Sequence, residues 1–342
     1  MSAYITENER YKIETMLKDG KKPKEIAERI GKHYTTVYRE IKRGTVLLRD
    51  SHTWLDIPTY CADTAQRVKE ERGHNKGIDL KIGNNYEYVK ELERLILQER
   101  YSPYAALAVI RKNGYHKTNV CTTTLYNYIH SGLFLNLSIK DLPYKKSLQK
   151  GEEKRRISYH LFGAKNIEDR PKHIYSRSVY GDWEMDTVVS GKGKGTACLL
   201  VLTERKMREE IIRPLADRTA LGVVKALNKL EREYGTKRFR SVFRTITCDN
   251  GVEFSAYKDI ERSISGKKPR TALYFCHPYC SSERGSNENT NKLIRRHVPK
   301  GCSISDYSVS DIIRIQEWIN NYPRKMFGGL STNEYKKACG IP

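Results

Sequence analysis

The sequence predicts a multidomain chain: an all-α helix-turn-helix region at the N-terminus, followed by an α/β core on a mixed five-stranded sheet. Three observations predict it. Residues 1–45 carry a helical period punctuated by Gly20 and Gly31, residues beyond about 171 switch to short apolar runs separated by turn residues, and 342 residues exceed one domain of roughly 100–200. With 38% hydrophobic and 30% charged residues, 23 Gly and 11 Pro, the composition is globular and excludes disordered, collagen-like and disulfide-scaffold classes. The longest apolar run, Ala197 to Leu202, falls far short of the ~20 residues that cross a bilayer. The N-terminus lacks a basic start followed by an apolar stretch, so no secretory signal is expected, a cytosolic chain is, and its eight cysteines should be reduced thiols.

The first element begins at a capping box, Thr6-Glu7-Asn8-Glu9, and continues through Ile13, Met16 and Leu17 until Gly20. A second helix starts near Pro23 and ends at Gly31, and a third runs from about Tyr34 to Arg43. Ala27, Gly31 and Val37 let two of these helices cross tightly, which is the helix-turn-helix pattern. The third helix then offers Tyr34, Thr35, Thr36, Tyr38, Arg39 and Lys42 outward, with Lys32 and Arg43 at its ends, a set suited to base edges and phosphates in a major groove. A plain three-helix bundle would present the same period, and charge favours the DNA-binding reading. Lys and Arg number 63 against 41 Asp and Glu, a formal net charge of +22 that selects a polyanionic partner. No single strongly amphipathic basic helix stands out for a membrane surface.

Residues 46–85, with Trp54, Pro58 and a charged stretch from Gln66 to Asn75, read as a linker region. Helical spacing resumes at Val89, Leu92, Leu95 and Ile96. Ser102-Pro103 restarts a helix that Gly114 breaks, and Thr122-Thr123-Thr124 caps another containing Leu125, Tyr126 and Ile129. Residues 86–135 are therefore expected to form a second helical DNA-binding domain. Residues 136–170 are expected to form a basic linker, with Lys140, Lys145, Lys146, Lys154, Arg155 and Arg156 placed to track phosphates.

Residues 171–342 are expected to form the core and C-terminal helices. Strands are predicted at 181–189, 196–203 and 210–215, a helix at 221–234, strands at 243–248 and about 272–276, and helices at about 287–297 and 310–321. Three strands, a helix, two further strands and then helices is the order of a ribonuclease H-like α/β fold. In that topology the first and fourth strands are neighbours. Asp186 lies in the first, Asp249 immediately follows the fourth, and Glu288 begins the helix after the fifth. Three carboxylates gathered at one sheet edge repel one another unless a cation is bound. Their oxygen ligands suit Mg²⁺ or Mn²⁺, and a pair of such ions about 3.5–4 Å apart serves phosphodiester chemistry. Each acid alone has an ordinary reading as a turn or capping residue. Spacing leaves Asp182, Glu184 and Asp186 equivalent on one strand face, and Glu253 and Glu283 compete with their neighbours in the same way.

Gly-Asp-Trp-Glu-Met-Asp at 181–186, Thr-Cys-Asp-Asn-Gly-Val-Glu-Phe at 247–254 and Glu-Arg-Gly-Ser-Asn-Glu-Asn-Thr-Asn at 283–291 resemble the three catalytic blocks of the insertion sequence 30 family of bacterial DDE transposases. Arg295-Arg296, Pro299-Lys300-Gly301 and Asn320 to Lys325 resemble its C-terminal signature, and Ile26 to Ile41 its helix-turn-helix, so the likeness covers nearly the whole chain. The resemblance implies that Asp186, Asp249 and Glu288 are the catalytic and metal-holding triad, with Mg²⁺ or Mn²⁺, two ions, as cofactor. It makes Glu184 and Glu253 recurrent companions, and places Arg284, Asn287, Asn289, Asn291 and Lys292 near the DNA. It further implies binding to double-stranded DNA at the terminal inverted repeats of an element and at a target. Metal-dependent cleavage and strand transfer, a homodimer or larger synaptic assembly, and a bacterial, nucleoid-associated cytoplasmic location are implied as well.

This sequence departs from the family pattern in places. Asp182 stands where a histidine is usual, an extra acid able to modify metal affinity, Met185 replaces a glycine, and Glu283 a glutamine. Asp249 and Glu288 are separated by 38 residues, somewhat more than the typical spacing, with the surplus expected in the polar stretch 262–270.

Cys276-His277 with Cys280 lacks a second ligand pair at zinc-finger spacing and reads as buried thiols on a strand and a turn. Gly191-Lys192-Gly193-Lys194-Gly195 is a lysine-bearing hairpin turn rather than a phosphate-binding loop, because it does not lead into a helix. Two other classes compete with the transposase reading. A non-catalytic repressor would bind end DNA without cutting it, and a nuclease that only hydrolyses would nick without joining.

Overall fold

The computed structural model describes residues 4–51, 53–74, 80–83, 85–114, 118–143, 163–277 and 280–341. The chain divides into two compact units, Met1–Gly83 and Asn84–Pro342. Among the described residues no helix is long and apolar enough to cross a membrane.

In the first unit α1 (Glu7–Lys18) starts at the expected capping box, with Thr6 and Glu9 each accepting the other's backbone N–H. Helix α2 (Pro23–Ile30) opens on proline and closes on Gly31 at φ 66°, the left-handed conformation the tight turn requires. Helix α3 (Tyr34–Gly44), capped by His33, then runs directly into strand β1 (Thr45–Arg49). Strand β2 (Asp56–Tyr60) pairs antiparallel with β1, and α4 (Ala62–His74) packs on α1 and α3.

The expected linker at 46–85 is therefore corrected through Gly83, because Tyr60, Ala62 and Ala65 complete the core of Ile5, Ile13, Ile26, Ala27 and Val37. The packing is close enough that a Cβ on Gly44 would lie 2.6 Å from the Tyr60 ring and 2.7 Å from Ala65. At its centre Arg10, 1% exposed, donates to Glu40 Oε1 at 2.6 Å and to Gln66 Oε1 at 2.7 Å.

The second unit opens with α5 (Tyr86–Leu97), α6 (Pro103–Asn113) and α7 (Thr122–His130). The three helices stand where periodicity placed them. The cap of α7 is Cys121, whose Sγ accepts the Thr124 N–H, rather than the threonines that follow. The segment is docked on the core: Ala105 belongs to a core cluster, Tyr101 packs on Trp318 and Tyr322, and the Tyr322 hydroxyl donates to Ser102 Oγ at 2.7 Å. Of the expected basic linker, Lys145, Lys146, Lys154, Arg155 and Arg156 lie outside the described residues. Its end is built into the core, since Asn166 bridges to Phe275 and the buried Arg170 donates to Thr247 Oγ1 at 3.0 Å.

The core contains β3 (Asp182–Val189), β4 (Cys198–Glu204), β5 (Glu210–Leu215), α8 (Ala220–Tyr234), α9 (Thr236–Val242), β6 (Thr245–Cys248), α10 (Tyr257–Glu261) and β7 (Ala272–Phe275). It ends with α11 (Gly285–His297), α12 (Val309–Asn320) and α13 (Thr332–Ala338). The sheet order is β5-β4-β3-β6-β7, with β3, β4 and β5 antiparallel and β6 and β7 added parallel to β3. This is the ribonuclease H-like order and the mixed sheet the sequence predicts. Side-chain alternation along β3 sends Trp183 and Met185 into one core with α8, α9 and Phe254, and Val188 into a second with α11 and α12. The stretch expected to hold surplus length is tethered: Arg270, 1% exposed, donates to Glu231 Oε2 at 3.3 Å, and the Ser263 hydroxyl donates to the same carboxylate.

Candidate active site

The site follows from the parallel register of β3 and β6. Asp182 stands opposite Thr245 and Glu184 opposite Thr247. Two residues further along both chains are Asp186 and Asp249, so the two aspartates stand at one level, Asp186 within β3 and Asp249 just past the end of β6, on strands whose backbones lie about 4.7–4.9 Å apart. Asp186 is the last acid on its strand face, and Asp249 is the first residue after β6 ends.

The three acids that spacing left equivalent on β3 have three different environments. Asp182, 2% exposed, accepts the Thr245 hydroxyl at 2.7 Å, so the extra acid is engaged in joining two strands rather than free to modify a metal site. Glu184 is fully buried, accepts Arg205 Nη1 at 2.5 Å and takes the Asn287 N–H at 3.2 Å, which fixes the first turn of α11 against the sheet. Asp186 meets α11 further along, accepting the Asn291 side chain at 2.8 Å. Glu253, also buried, accepts the Thr187 hydroxyl at 2.7 Å and Arg218 Nε at 2.7 Å, bracing the strand beside Asp186. Glu184 and Glu253 thus occupy companion positions around the aspartate pair.

Arg284 lies between the two aspartates. Its Nη1 is 3.4 Å from Asp186 Oδ1, and its Nη2 donates to Asp249 Oδ2 at 2.9 Å. Asn291 donates to Asp186 Oδ2 at 2.8 Å, and the Thr187 N–H donates to Oδ1 at 2.9 Å. Burial pushes the Asp186 carboxyl above its ordinary value. The Arg284 charge opposes this, Asp249 reinforces it, and the Asn291 and Thr187 donors pull the other way. Burial acts against the charge of Arg284, yet Asp249 and Asp186 hold its guanidinium above the ordinary arginine value.

Glu288 stands exposed on α11, four residues after Arg284 and three before Asn291. Arg284 precedes the helix, at φ −121° and ψ 40°, and Asn291 stands three residues, about one turn, beyond Glu288 on α11. Glu288 makes no hydrogen bond or ion pair among the described residues, and among those residues no three His, Cys, Asp or Glu side chains lie close enough to hold a metal ion together. The structure therefore joins Asp186 to Asp249 through Arg284, while the expected meeting of all three carboxylates is not found among the described residues, where Glu288 is exposed on α11.

The other expected contact residues separate. Asn287 is 1% exposed, so it is not at the surface for DNA; its amide atoms have no partner among the described residues. Lys292 is exposed. In the first unit Tyr34, Tyr38, Arg39 and Lys42 project outward from α3 and Thr36 is half-buried. Thr35 is bonded to the His33 cap at 2.7 Å, Lys32 pairs with Glu9 at 3.6 Å, and Arg43 pairs with Glu40. The expectation of buried thiols holds for Cys276 and fails for Cys280, which is exposed. His277 Nδ1 lies 2.7 Å from Glu283 Oε1 and its Nε2 3.2 Å from Glu168 Oε1, a contact the sequence did not signal because Glu168 is distant in the chain.

A helix-turn-helix followed by a ribonuclease H-like core with two aspartates held at one level of neighbouring strands by a single arginine defines a DNA-processing protein. Residues 3–44 match the family described as a helix-turn-helix domain. Over 97% of its length the chain is 33% identical to the probable transposase for insertion-like sequence element IS1161 of Streptococcus salivarius, covering 93% of that protein. It is 32% identical to the transposase for insertion sequence element IS4351 of Bacteroides fragilis, with 98% and 95% covered. It is 26% identical to the transposase InsI for insertion sequence element IS30C of Escherichia coli K12, with 94% and 80% covered. Among solved structures it is similar to the catalytic core domain of BIV integrase, with a TM-score of 0.33, 16% identity, and 47% of this chain and 97% of that one covered. The chain belongs to the insertion sequence 30 family of transposases.

Proposed function

We propose that this transposase binds the terminal inverted repeats of an insertion sequence through its N-terminal helices and carries out metal-dependent cleavage and strand transfer at Asp186, Asp249 and Glu288. The observation that carries the reading is the level pairing of Asp186 and Asp249 on adjacent parallel strands around one cationic group. That guanidinium is a stand-in for a cation, and hard carboxylate oxygens suit Mg²⁺ or Mn²⁺, so the residues fit the ion the family implies. Asp186 and Asp249 would hold it, with Glu288 completing the set. When bound, such ions supply Lewis-acid activation of an attacking oxygen and stabilisation of a leaving one.

The chain's own residues prepare that site. Asn291 and the Thr187 N–H orient the Asp186 carboxylate, Glu184 anchors the start of α11, and Glu253 fixes Thr187. Arg284 neutralises the aspartates in the free protein and stands where it can meet a DNA phosphate once they hold metal. Arg39, Lys42, Tyr34 and Tyr38 form the outward set on α3 for groove contacts. We place the working protein with the bacterial nucleoid, in a dimer or larger assembly that holds two ends together.

The test is incubation of the protein with labelled element-end DNA and Mg²⁺, separating nicked from joined species. Nicks and joined products support the reading. Nicks alone convert it to a hydrolytic nuclease, and binding without either converts it to a repressor.

A further inference from the structure

The β1–β2 hairpin that follows α3 is an apolar projection on a strongly basic chain. Leu47, Leu48, Trp54, Leu55 and Ile57 are exposed there, Leu47 by 69%. A strand pair leaving a groove-reading helix could reach into DNA itself, but its charge opposes that use. The charged residues of 45–60 are Arg49, Asp50 and Asp56, an acidic balance within a chain of net charge +22, and acids repel phosphate. Clustered apolar side chains with so little positive charge suit another protein surface.

The hydrogen-bond pattern shows which edge of the hairpin is free. The Cys61 N–H donates to the Gly44 carbonyl at 2.9 Å and the Asp50 N–H to the Leu55 carbonyl at 2.9 Å, so in the register that sets Thr45 opposite Tyr60 the even-numbered residues of β1 bond to β2. Thr45, Leu47 and Arg49 therefore turn their backbone groups to the other side. Their opposite numbers on β2 turn outward as well, and the middle one is Pro58, which has no N–H to offer. One edge is closed by proline and the other is open. On that open side Leu47 and Arg49 make no backbone hydrogen bond among the described residues. An open edge is a template for a further strand.

We propose that the open edge of β1 pairs antiparallel with β1 of a second copy of this chain, joining two hairpins into one four-stranded sheet. The register follows from which residues face outward. Centred on Leu47, the pairing lets Leu47 exchange N–H and C=O with Leu47 of the second copy, and Thr45 do so with Arg49 at each end. It also sets Leu47 on its own counterpart on one face and Leu48 on Val46 of the second copy on the other. Apolar meets apolar at the middle, and Arg49 stands opposite the neutral Thr45 rather than another cation. Two chains of net charge +22 repel one another, and the acidic balance of the hairpin lowers that repulsion where they meet. A two-fold contact of this kind closes on itself, so it stops at two copies. The proposal deepens the transposase reading by giving a surface to the pairing of two ends, and it rests on that reading for its purpose.

The experiment uses the full chain without DNA, in chelator, and reads self-association by sedimentation velocity over a concentration series. Leu47→Lys should raise the dissociation constant by about a hundredfold or more, because two leucines lose burial at one contact and each is worth about tenfold or more. Leu47 is exposed in the single copy and outside the core of the first unit, so the substitution leaves that core untouched. Leu47→Pro should act likewise, removing one outward N–H as Pro58 does on the other strand. With Leu47→Cys, mild oxidation should yield a disulfide joining position 47 of two copies, since bonded residues of an antiparallel pair have Cα atoms about 5.5 Å apart, within disulfide reach. Mass spectrometry of the linked peptides separates it from links through the native thiols. Ile57→Cys, on the far strand of each hairpin, should not link to itself. Association unchanged by Leu47→Lys in a protein whose circular dichroism matches the wild type would overturn the proposal, as would equal linking at 47 and 57. Weaker duplex binding by Leu47→Lys with association intact would reassign the hairpin to DNA. End-DNA cleavage is assayed separately, so the two readings fail separately. Pairing broken by Leu47→Lys in a chain that never cleaves end DNA sinks the transposition mechanism alone, and a wild type that cleaves and joins without linking at position 47 sinks the hairpin pairing alone.

Discussion

Asp186, within β3, and Asp249, just past the parallel β6, stand at one level and share a single guanidinium, that of Arg284, 3.4 Å from one and 2.9 Å from the other. Two carboxylates so placed are a cation site before any metal is considered. Replacing Asp249 by Asn keeps shape and removes the charge that would hold the ion. Cleavage of end DNA should fall by about a thousandfold, roughly 4 kcal/mol of transition-state stabilisation, because Lewis-acid assistance is worth several kcal/mol. Duplex binding by gel shift should stay within about twofold, since phosphate contacts elsewhere dominate affinity. Wild-type cleavage by Asp249→Asn would remove Asp249 from the chemistry.

The buried Asp186 carboxyl carries a stability consequence of definite sign. Its value in the folded chain is raised above the ordinary 3.8, so the native state binds its proton more tightly than the unfolded state does. The contribution to stability is therefore fully present below 3.8 and is lost as pH rises through the raised value. At neutral pH the ionised group weakens the fold. Asp186→Asn in chelator at pH 7 should melt higher than the wild type, by about 2–4 °C for each kcal/mol relieved, and the difference should shrink on acidification toward pH 4. Mg²⁺ should raise the wild-type melting temperature and leave the variant unmoved. A lower melting temperature for Asp186→Asn at pH 7 would contradict this account.

How much of this was readable in the sequence depends on the range of the interaction. The helices of residues 7–44 and the strands at 182–215 were readable because caps, glycine stops and apolar periods act over a few residues. The equivalence of Asp182, Glu184 and Asp186 was not resolvable by spacing, because their partners, Thr245, Arg205 and Asn291, come from other elements. Likeness to known catalytic blocks singles out Asp186, and the contacts show that Asp182 and Glu184 are taken up by Thr245 and Arg205. The misread linker at 46–85 has a related cause. Leu47, Leu48, Trp54, Leu55 and Ile57 are exposed and give no amphipathic pattern, whereas the residues that join the core there are Tyr60 and the small Ala62 and Ala65. The resemblance places Arg284 near the DNA, and nothing local in the sequence reveals that it closes on two aspartates.

Arg39 projects from α3 into solvent between the exposed Tyr38 and the buried Glu40. Arg39→Ala should cost about 1–3 kcal/mol of end binding if the guanidinium reads a base, or lower the salt slope by about 1 if it meets a phosphate. Lys32→Ala should cost less, because that ammonium already pairs with Glu9 and donates to the Tyr4 carbonyl. Fluorescence anisotropy on end-repeat duplexes across a salt series distinguishes the cases. Equal affinity and slope for Arg39→Ala and wild type would take α3 out of the groove.

The Arg10–Glu40 pair ties α1 to α3 in the interior of the first unit, with side chains 1% and 4% exposed, and Gln66 of α4 shares the same guanidinium. Removing one member leaves a buried charge without its counter-ion, a defect that costs about 3–5 kcal/mol. Glu40→Ala should therefore unfold much of residues 4–74 and abolish duplex recognition, although Glu40 is buried and lies off the exposed stripe of α3 that carries Tyr34, Tyr38 and Lys42. Replacing both residues, Arg10→Met with Glu40→Leu, removes the charge problem and should restore most of the missing stability, as apolar substitutes for buried ion pairs often do. Hydrogen exchange followed peptide by peptide gives the measurement. Glu40→Ala should lose protection across α1, α3 and α4 while β3 to β7 keep theirs, and the double variant should regain it. Retained protection in the single variant would show that the pair is dispensable and that the apolar cluster around Ile13, Ile26 and Val37 holds the unit by itself.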